Sequence, residues 1–473
     1  MTSKTFKLFG LKPLLLAGAI TIVPQAASAE VNAGSAALGS TLEDFFTAAL
    51  DYSPHLKISE QRRAIGAARR DAATGQLKPQ ISANATLTDN RRRTGDSLNE
   101  FDGERYSIQL RQVLFDWEAF SARKQATSER DRSEAEYFYE LSVLLTEVSD
   151  KYFDVLQAQG EVESKNAELE AVKKQRSQIQ SQFDRQLAQI TDLLQSKASV
   201  AAVEAEKIQL QSELDLAREA LRSTSGLDVG KLFDLADDAA IPSASRGIAA
   251  WVAMAHSNNY QIQAREFATK ATEAGISRSK GAFWPNASLV VQRQDSGVGF
   301  DNAPIQDSET TYVGIDFYIP IYSGGSRSAS LRESRSLHAI AQSELEQIKL
   351  DTSELVRSAY LLFEASKSFI KAAQILVEST TATADAMQKG FDLGTVTNVD
   401  VLNAIRDRFE AQRRLQQSKY DSIKYYLLLK RESGSLTAQD MVEVSSWLTS
   451  TASTSFNETK DLAYLDSDDW ITR

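Results

Sequence analysis

The stretch Gly-Thr-Val-Thr-Asn-Val-Asp-Val-Leu, residues 394–402, joins two long helical patterns and has a counterpart, Ile-Thr-Asp-Leu-Leu, at residues 190–194. The offset is 208 residues, and the same offset relates Phe183 to Phe391. A repeat of this length is much longer than the roughly 20–50 residues of a solenoid unit. The chain is therefore a duplicated half, and each feature of one half can be checked in the other.

The start of the chain has the composition of an export signal. Basic residues precede an apolar run, Leu14–Val23, and Ala27-Ser28-Ala29 follows as a cleavage site. This order of segments is typical of a secretory signal peptide. We therefore expect a signal peptide at residues 1–29 and a mature chain that begins at Glu30. A transmembrane helix needs about 20 apolar residues, and no run in the sequence reaches that length.

Composition excludes several classes of function. The chain has 473 residues, no cysteine and a net charge of −11, which rules out disulfides, thiolate metal sites and a lipidated N-terminal cysteine. An acidic chain does not favour nucleic acid as a partner. His55, His256 and His338 lie far apart, and we find no phosphate-binding loop, metal-ligand spacing or nucleophile motif. We therefore expect a protein that is not an enzyme and needs no cofactor.

Each half contains a pair of segments in which apolar and polar residues alternate. The first pair covers about residues 80–115, with a polar solvent loop at 89–105, and the second covers about 286–321, with a polar loop at 295–309. A period of two residues predicts strands with one apolar and one polar face. The residues that we predict to face lipid are Ile108, Leu110, Leu114, Val313, Ile315, Phe317 and Ile319.

After each strand pair the apolar spacing becomes three and four residues, which predicts long coiled-coil helices. The first runs from about Trp117 to Arg185, a rod of roughly 100 Å at 1.5 Å per residue, and returns through residues 191–225. The second copy runs from about Ser326 to Leu393 and returns through residues 398–433. Another helix begins at the Thr41 cap and ends before Pro79, interrupted early by Pro54.

These patterns divide the mature chain into four segments. The first structural repeat covers residues 30–226, and the second covers residues 247–434. A linker at 227–246 separates them, and residues 435–473 form a C-terminal segment and tail. The linker and the C-terminal segment are expected to pack around the middle of the helices, in an equatorial region. Each return helix is half as long as its outgoing helix, so the shorter N-terminal helix of the same half can complete the packing.

One copy cannot bury the surfaces that these patterns predict. Strands of about ten residues suit a transmembrane β-barrel, in which each strand has about 9–11 residues. Such a barrel has no free edge and at least eight strands, whereas one chain supplies four. Oligomerisation is therefore required, and three copies would give twelve strands.

The sequence resembles the TolC family of bacterial outer-membrane efflux and type I secretion channels over about residues 41–436. The resemblance is carried by residues 394–402 and 190–194, the proline-plus-aliphatic strand ends and the Ser-Gly pair that closes each half. It implies a mostly helical mixed fold. In that fold, four transmembrane strands per protomer form a twelve-stranded β-barrel in a homotrimer, continuous with a periplasmic α-helical barrel. The implied partners are outer-membrane lipid, a periplasmic adaptor (membrane fusion) protein and an inner-membrane ABC or proton-driven pump.

The resemblance assigns the periplasmic entrance to the second tip. Three Asp400 side chains would form an acidic ring there, and Asn403 stands one turn further on, where the family often has a second acid. A ring of like charges favours cations. From the residues alone, the preferred interpretation is that Asp400 is a first-turn acid that stabilises the helix dipole, and the ring is what the resemblance implies.

The contacts that close the tip depart from the family pattern. The family commonly bonds a tyrosine and an arginine of the second tip to a Thr-Asp pair of the first. Thr191 and Asp192 are present, but Phe391 and Val396 occupy the partner positions and cannot donate those hydrogen bonds. Either other groups, such as Arg185 or Lys389, hold the tip, or coiled-coil packing does.

The turns at the tips also differ from each other. Gly394 and Thr395 form the turn of the second tip, whereas Gln186 replaces the usual glycine in the first. The sequence therefore leaves the geometry of the first turn, and its recognition by an adaptor, open.

Two functions of different classes fit the pattern. The first is an exit duct for a pump-and-adaptor system, serving type I protein secretion, small-molecule efflux or both. The alternative is a periplasmic or surface structural coiled coil without a lumen. Barrel-length strands that occur twice favour the duct, because a purely structural coiled coil does not need them.

Overall fold

The computed structural model describes residues 38–39, 41–235, 246–297 and 307–448. The predicted signal peptide, residues 236–245 of the predicted linker and the tail beyond residue 448 lie outside the described residues, as does most of the predicted second polar loop. Within the described residues the protein is mostly helical, with one four-stranded sheet and one two-stranded sheet. None of the described helices combines the length and apolar character needed to cross a membrane.

The two halves repeat the same order of helices and strands. The first half contains β1 (Leu38–Gly39), α1 (Leu42–Tyr52), α2 (Pro54–Gly75), β2 (Gln80–Thr94), β3 (Ser97–Phe115), α3 (Trp117–Asp184) and α4 (Ile190–Ser225). The second contains β4 (Asp228–Val229), α5 (Ile248–Asn258), α6 (Tyr260–Gly281), β5 (Asn286–Ser296), β6 (Ser308–Tyr318), α7 (Ser326–Asp392), α8 (Asn398–Glu432) and α9 (Ala438–Leu448). The predicted long helices and their turns are therefore confirmed to within a few residues.

Local signals in the sequence set the helix ends. Thr41 caps α1 by a capping box, in which its hydroxyl accepts from the Asp44 N–H and the Asp44 carboxylate accepts from the Thr41 N–H. Pro54 begins α2 because a proline at the first helical position loses no hydrogen bond. The Asp116 carboxylate caps α3 by accepting from the Ala119 N–H at 3.0 Å.

The four-stranded sheet has the order β2-β3-β5-β6, and every neighbouring pair is antiparallel. In one protomer the outer edges of β2 and β6 pair with no other strand of the described residues. Phe115 pairs with Ala287 after an irregularity at Leu114, which therefore has no partner in the ladder to β5.

The solvent loop predicted at 89–105 is wrong. β2 and β3 stay paired up to Thr94 and Ser97, and only Gly95 and Asp96 form the turn. Gly95 has a φ of +58°, a conformation that glycine adopts without the cost that a side chain incurs. Polar side chains do not prevent strand pairing, because the ladder bonds are made by the backbone. The hairpin extends beyond β5, whose pairing with β3 stops at the Ser296–Arg105 pair.

The second strand pair is shorter than predicted. β6 ends at Tyr318, so Ile319 lies just outside the strand that was expected to contain it. Pro320 follows, and a proline has no N–H to donate to a ladder. Ile319 and Ile321 are exposed in the protomer.

The main core contains side chains from the long helices of both halves, from α9 and from the segment that begins at β4. Tyr152 of α3 and Tyr420 of α8 are fully buried there, next to Phe45 of α1 and Val444 of α9. The Tyr152 hydroxyl donates to the Phe233 carbonyl at 3.1 Å. The segment after β4 and the helix α9, neither of which belongs to the repeat, therefore lie against the middle of the long helices.

Candidate functional site

The turns at the two tips have the same backbone geometry. Gln186 has a φ of +66° and Gly394 a φ of +77°, and the N–H of the next residue donates to a carbonyl five residues earlier in both. These bonds are Leu187 to Gln182 at 2.8 Å and Thr395 to Gly390 at 2.9 Å. Gln186 is the one residue other than glycine with positive φ among the described residues. The first tip therefore keeps the turn without the glycine, at the steric cost of a side chain in the left-handed region.

Asp192 and Asp400 hold equivalent positions as capping residues. The Asp400 carboxylate accepts from the Thr397 N–H at 3.2 Å, while the Thr397 hydroxyl accepts from the Asp400 N–H at 3.3 Å. Asp192 accepts from the Gln189 N–H at 3.4 Å in the same way. Within one protomer, Asp400 therefore makes the contacts expected of an acid in the first turn of a helix.

The predicted entrance residues Asp400 and Asn403 are exposed and lie one turn apart on α8. Thr191 is exposed as well, and its hydroxyl lies 3.3 Å from the side-chain oxygen of Gln189. The structure thus leaves the carboxylate and the amide of the second tip accessible to solvent. An acidic ring needs three copies and stays a prediction.

The two residues that replace the family's usual donors pack instead of bonding. Phe391 lies against an apolar cluster near the tips, formed by Leu169, Val172, Val200, Val203, Val401, Leu402, Ile405 and Phe409. Val396 lies over Gly390, where an added Cβ would come within 2.6 Å of its Cγ2 atom. The Thr395 hydroxyl donates to the Gly390 carbonyl at 3.0 Å. Phe391 and Val396 therefore contribute apolar packing at the tips.

Amide side chains connect the two hairpins of the protomer, and no pattern in the sequence indicates these contacts. Asn398 is buried at the start of α8, and its Oδ1 atom accepts from Gln175 Nε2 of α3 at 3.0 Å. Its Nδ2 atom lies 3.5 Å from the Asp192 carbonyl oxygen of α4. On the exposed side, Gln178 Nε2 donates to Asp392 Oδ1 at 3.0 Å. Near the tips these amide residues make polar contacts between the hairpins, whereas the described residues show no such contact for Arg185 or Lys389.

A buried network of charges lies further from the tips. Glu168 of α3, only 2% exposed, lies 2.8 Å from Lys165 Nζ and 3.3 Å from Arg413 Nη1 of α8. Lys165 also lies 2.7 Å from Glu206 of α4. Buried charges are tolerated only when they are paired, so this network requires α3, α4 and α8 to stay together.

The sheet has two chemically different faces. Cross-strand partners share a face, and the register places the apolar residues in three rows. These rows are Phe115–Ala287–Phe317, Leu289–Ile315 and Ile81–Leu110–Val291–Val313. Ile108 follows in the next row with Ala83 and Arg293, while the opposite face carries residues such as Ser82, Gln109, Gln292 and Tyr312. Most of the residues predicted to face lipid therefore lie on one face, although their contact with lipid stays a prediction.

Aromatic residues mark one end of the apolar face. Trp117 and Trp284 stack with ring centroids 5.9 Å apart, and Phe115 contacts both Trp284 and Phe120. Both tryptophans are partly exposed. Tryptophan in this environment is typical of the boundary between lipid and water.

Comparison with known proteins agrees with this geometry. The sequence profile of the family described as "Outer membrane efflux protein" matches residues 46–227 and 251–431, one match in each half. The chain is 27% identical over 426 residues to "Outer membrane protein TolC" of Vibrio cholerae serotype O1, covering 88% of this chain and 95% of the relative. It is 26% identical to "Alkaline protease secretion protein AprF" of Pseudomonas aeruginosa, covering 85% of each chain.

Solved structures show the same fold. The outer membrane protein VceC of Vibrio cholerae superposes with a TM-score of 0.72 at 18% identity, covering 83% of this chain and 96% of VceC. CusC, whose structures concern transmembrane channel formation, superposes with a TM-score of 0.75 at 17% identity, covering 83% of this chain and 92% of CusC. Fold and sequence together define an export channel of the bacterial outer membrane with a large periplasmic part. The chain belongs to the outer membrane efflux protein family.

Proposed function

We propose that three copies of this chain assemble into one duct that crosses the outer membrane and the periplasm. The observation that carries the proposal is the open four-stranded sheet, whose outer strands β2 and β6 have unpaired edges within a protomer. An open edge is not tolerated in lipid, because its backbone groups cannot be satisfied there. Pairing of β2 with β6 of the next copy removes every edge, and three copies make a barrel of twelve strands.

The dimensions of the sheet support a membrane position. Trp284 precedes β5 by two residues, and Tyr106 of β3 pairs with Asp295 near the other end of β5. The segment from Trp284 to Asp295 rises about 36 Å along the strand, at about 3.3 Å per residue. A tilt of about 45° reduces this to roughly 26 Å, close to the apolar band of about 25 Å in outer-membrane barrels. Phe317 lies on the apolar face of the sheet and is one of the residues that we propose to contact lipid.

The tips then form the periplasmic entrance. We assign Asp400 and Asn403 to the lining of its narrowest part, with one carboxylate from each copy, and the turns around Thr191 and Gly394 to its closure. The carboxylate stays accessible while it caps α8, so the capping bond and a role in a ring are compatible. Closure rests on the packing of Phe391 and Val396 and on the amide contacts, since the usual donors are absent.

The duct itself is passive and depends on partners for energy. We propose a periplasmic adaptor and an inner-membrane ABC or proton-driven pump as those partners. Among possible cargoes, the match to a protease secretion protein of Pseudomonas aeruginosa over 85% of both chains supports type I protein secretion. The relative described as "Outer membrane efflux protein BepC" of Brucella suis, 24% identical, keeps small-molecule efflux as the second candidate.

The mass of the purified complex tests the assembly. Native mass spectrometry of the detergent-solubilised protein should give three times the mass of the mature chain. A monomer or dimer as the stable species would refute the twelve-stranded barrel, because one chain supplies only four strands and two chains supply eight. A monomer that stays soluble without detergent would favour the structural coiled coil without a lumen.

The Asp400→Ala variant tests the entrance. Three carboxylates at one constriction should make the channel selective for cations and sensitive to block by multivalent cations from the periplasmic side. Asp400→Ala should remove most of the block, whereas Asp192→Ala should instead loosen closure. Block that persists at full strength in Asp400→Ala would place the constriction elsewhere.

A further inference from the structure

Two basic side chains of α3 follow directly on the aromatic end of the apolar face. Phe120 of α3 contacts Phe115 of that face, with ring centroids 6.4 Å apart. Arg123 and Lys124 come three and four residues after Phe120, so they lie on the same side of α3. They are one turn, about 5.4 Å, further from the sheet, and both are exposed. This side of α3 therefore changes from aromatic to basic within one helical turn.

A third basic side chain lies on α6 at a similar height. The Trp284 N–H donates to the Gly281 carbonyl at 2.8 Å, so helical geometry continues past the end of α6. Lys280 is exposed and comes four residues before Trp284, on the same side of the helix. The backbones of α6 and α3 approach closely here, because a Cβ added at Gly281 would come within 2.6 Å of the Glu118 nitrogen. Lys280 is therefore level with the first turn of α3.

The positive charge of these three residues is not neutralised by the described part of the chain. None of the three forms an ion pair there. The two acids at the start of α3 have other partners, since Glu118 lies 3.5 Å from Arg278 and Asp116 caps the helix. The three charges are therefore available to a ligand.

The three residues also lie away from the edges of the protomer. α3 packs between α2 and α6, and α6 packs between α3 and α7. In a closed ring of copies, α2 and α7 are the helices that meet the next copy, just as β2 and β6 carry the unpaired edges of the sheet. A second copy would therefore not cover the basic side chains of α3 and α6.

We propose that Arg123, Lys124 and Lys280 bind the headgroup of an anionic phospholipid in the periplasmic leaflet of the outer membrane. The proposal rests on the proposed function, because that function places the apolar face in lipid. The long helices begin at this end of the sheet, so this end faces the periplasm in the proposed duct. Tryptophan side chains lie at the level of the lipid headgroups, and the basic side chains lie within one turn of them. Guanidinium and ammonium groups donate charge-assisted hydrogen bonds to a phosphate at that level.

Native mass spectrometry of the detergent-solubilised trimer tests the proposal. The probes are dioleoylphosphatidylglycerol, which is anionic, and dioleoylphosphatidylcholine, which is zwitterionic and has the same acyl chains. We expect the unmodified trimer to bind the phosphatidylglycerol at least tenfold more tightly. Equal affinity for the two lipids would overturn the proposal. Displacement of the lipid by millimolar ammonium phosphate, but not by ammonium acetate of equal ionic strength, would also overturn it by assigning the site to soluble phosphate.

A triple variant removes the three charges while keeping polar side chains: Arg123→Gln, Lys124→Gln and Lys280→Gln. Each basic side chain near an anionic lipid contributes roughly fivefold to affinity, so the triple variant should bind the phosphatidylglycerol at least tenfold more weakly and lose its preference. If the triple variant yields no trimer, the single variants Lys124→Gln and Lys280→Gln decide. Each should then lose about fivefold, and unchanged affinity in both would overturn the proposal.

The matched control removes the same charge far from the sheet: Lys174→Gln, Arg176→Gln and Lys371→Gln. These three residues are exposed, and the first lies roughly 75 Å along α3 from Lys124 at 1.5 Å per residue. The control should keep the affinity of the unmodified trimer. An equal loss in the control and in the triple variant would overturn the proposal, because net charge and not position would then determine binding.

The same spectra separate this proposal from the proposed function. An unmodified protein that forms no trimer would contradict the duct. An unmodified trimer without a preference for phosphatidylglycerol would contradict only the lipid site.

Discussion

Removal of the Glu168 carboxylate is the most informative single change in the helical part. Glu168→Ala leaves Lys165 and Arg413 without their shared partner in a buried environment. Breaking a buried ion pair by removing one member typically costs about 3–5 kcal/mol. Lys165 keeps Glu206 at 2.7 Å, and Arg413 is 19% exposed and can be partly hydrated. We therefore expect the low end, about 3 kcal/mol of unfolding free energy.

The matched control is Glu206→Ala in the same network. Glu206 is 60% exposed, and exposed ion pairs contribute about 0–1 kcal/mol, so its removal should cost less than about 1 kcal/mol. Both variants are unfolded with guanidinium at one protein concentration, since association contributes to apparent stability, and helix loss is followed by far-ultraviolet circular dichroism. Equal midpoints for Glu168→Ala and Glu206→Ala would refute the reasoning, because burial would then make no difference.

Three further changes test other parts of the account. Ile315→Arg should cost about 2–4 kcal/mol, because its partner Leu289 lies near the middle of the segment from Trp284 to Asp295, and unchanged yield of membrane-assembled trimer would contradict the lipid-facing assignment. Gln186→Gly should raise the free energy of unfolding by about 1 kcal/mol, because glycine adopts the left-handed backbone conformation without steric cost. Gly394→Ala should lower the free energy of unfolding for the same reason. If both variants were destabilised, the two turns would not have the same geometry. Burial, followed by the nearby Asp154 carboxylate, raises the pKa of Asp150 to about 6. Because this carboxyl pKa is raised in the folded state, the protein loses stability as pH rises from about 4 to 6. Asp150→Asn removes the titrating group and should flatten the guanidinium midpoints over this pH range. A pH profile identical to that of the unmodified protein would contradict the raised pKa of Asp150.

The elements of the fold follow from local patterns in the sequence. Helix starts at Thr41 and Asp116 are set by side chains that bond to the backbone a few residues away, and such contacts can be recognised in sequence. The matching offset of 208 residues correctly placed both tip turns, including the one at Gln186. The helix α9 was not predicted, because its residues lie in a segment outside the repeat and have no counterpart in the other half.

The contacts that hold the tips together could not be predicted in the same way. Gln175 and Asn398 are 223 positions apart, and a glutamine on a long polar helix gives no sign of burial. The burial of Glu168 could not be predicted either, since a Lys–Glu pair three residues apart on a helix is typical of an exposed helix surface. The wrong prediction over residues 89–105 has a different origin. The polar composition predicts a loop there, but the hydrogen bonds of a strand ladder are made by the backbone and do not depend on side-chain polarity.

Single-channel recording of the purified protein tests the central claim most directly. The account predicts that the full chain, inserted in a planar bilayer in KCl, forms discrete, cation-selective channels and that trimers account for the conducting fraction. Protein that inserts into the bilayer and does not conduct would contradict the account. Conductance found in fractions of another oligomeric state, and not in the trimer, would also contradict it.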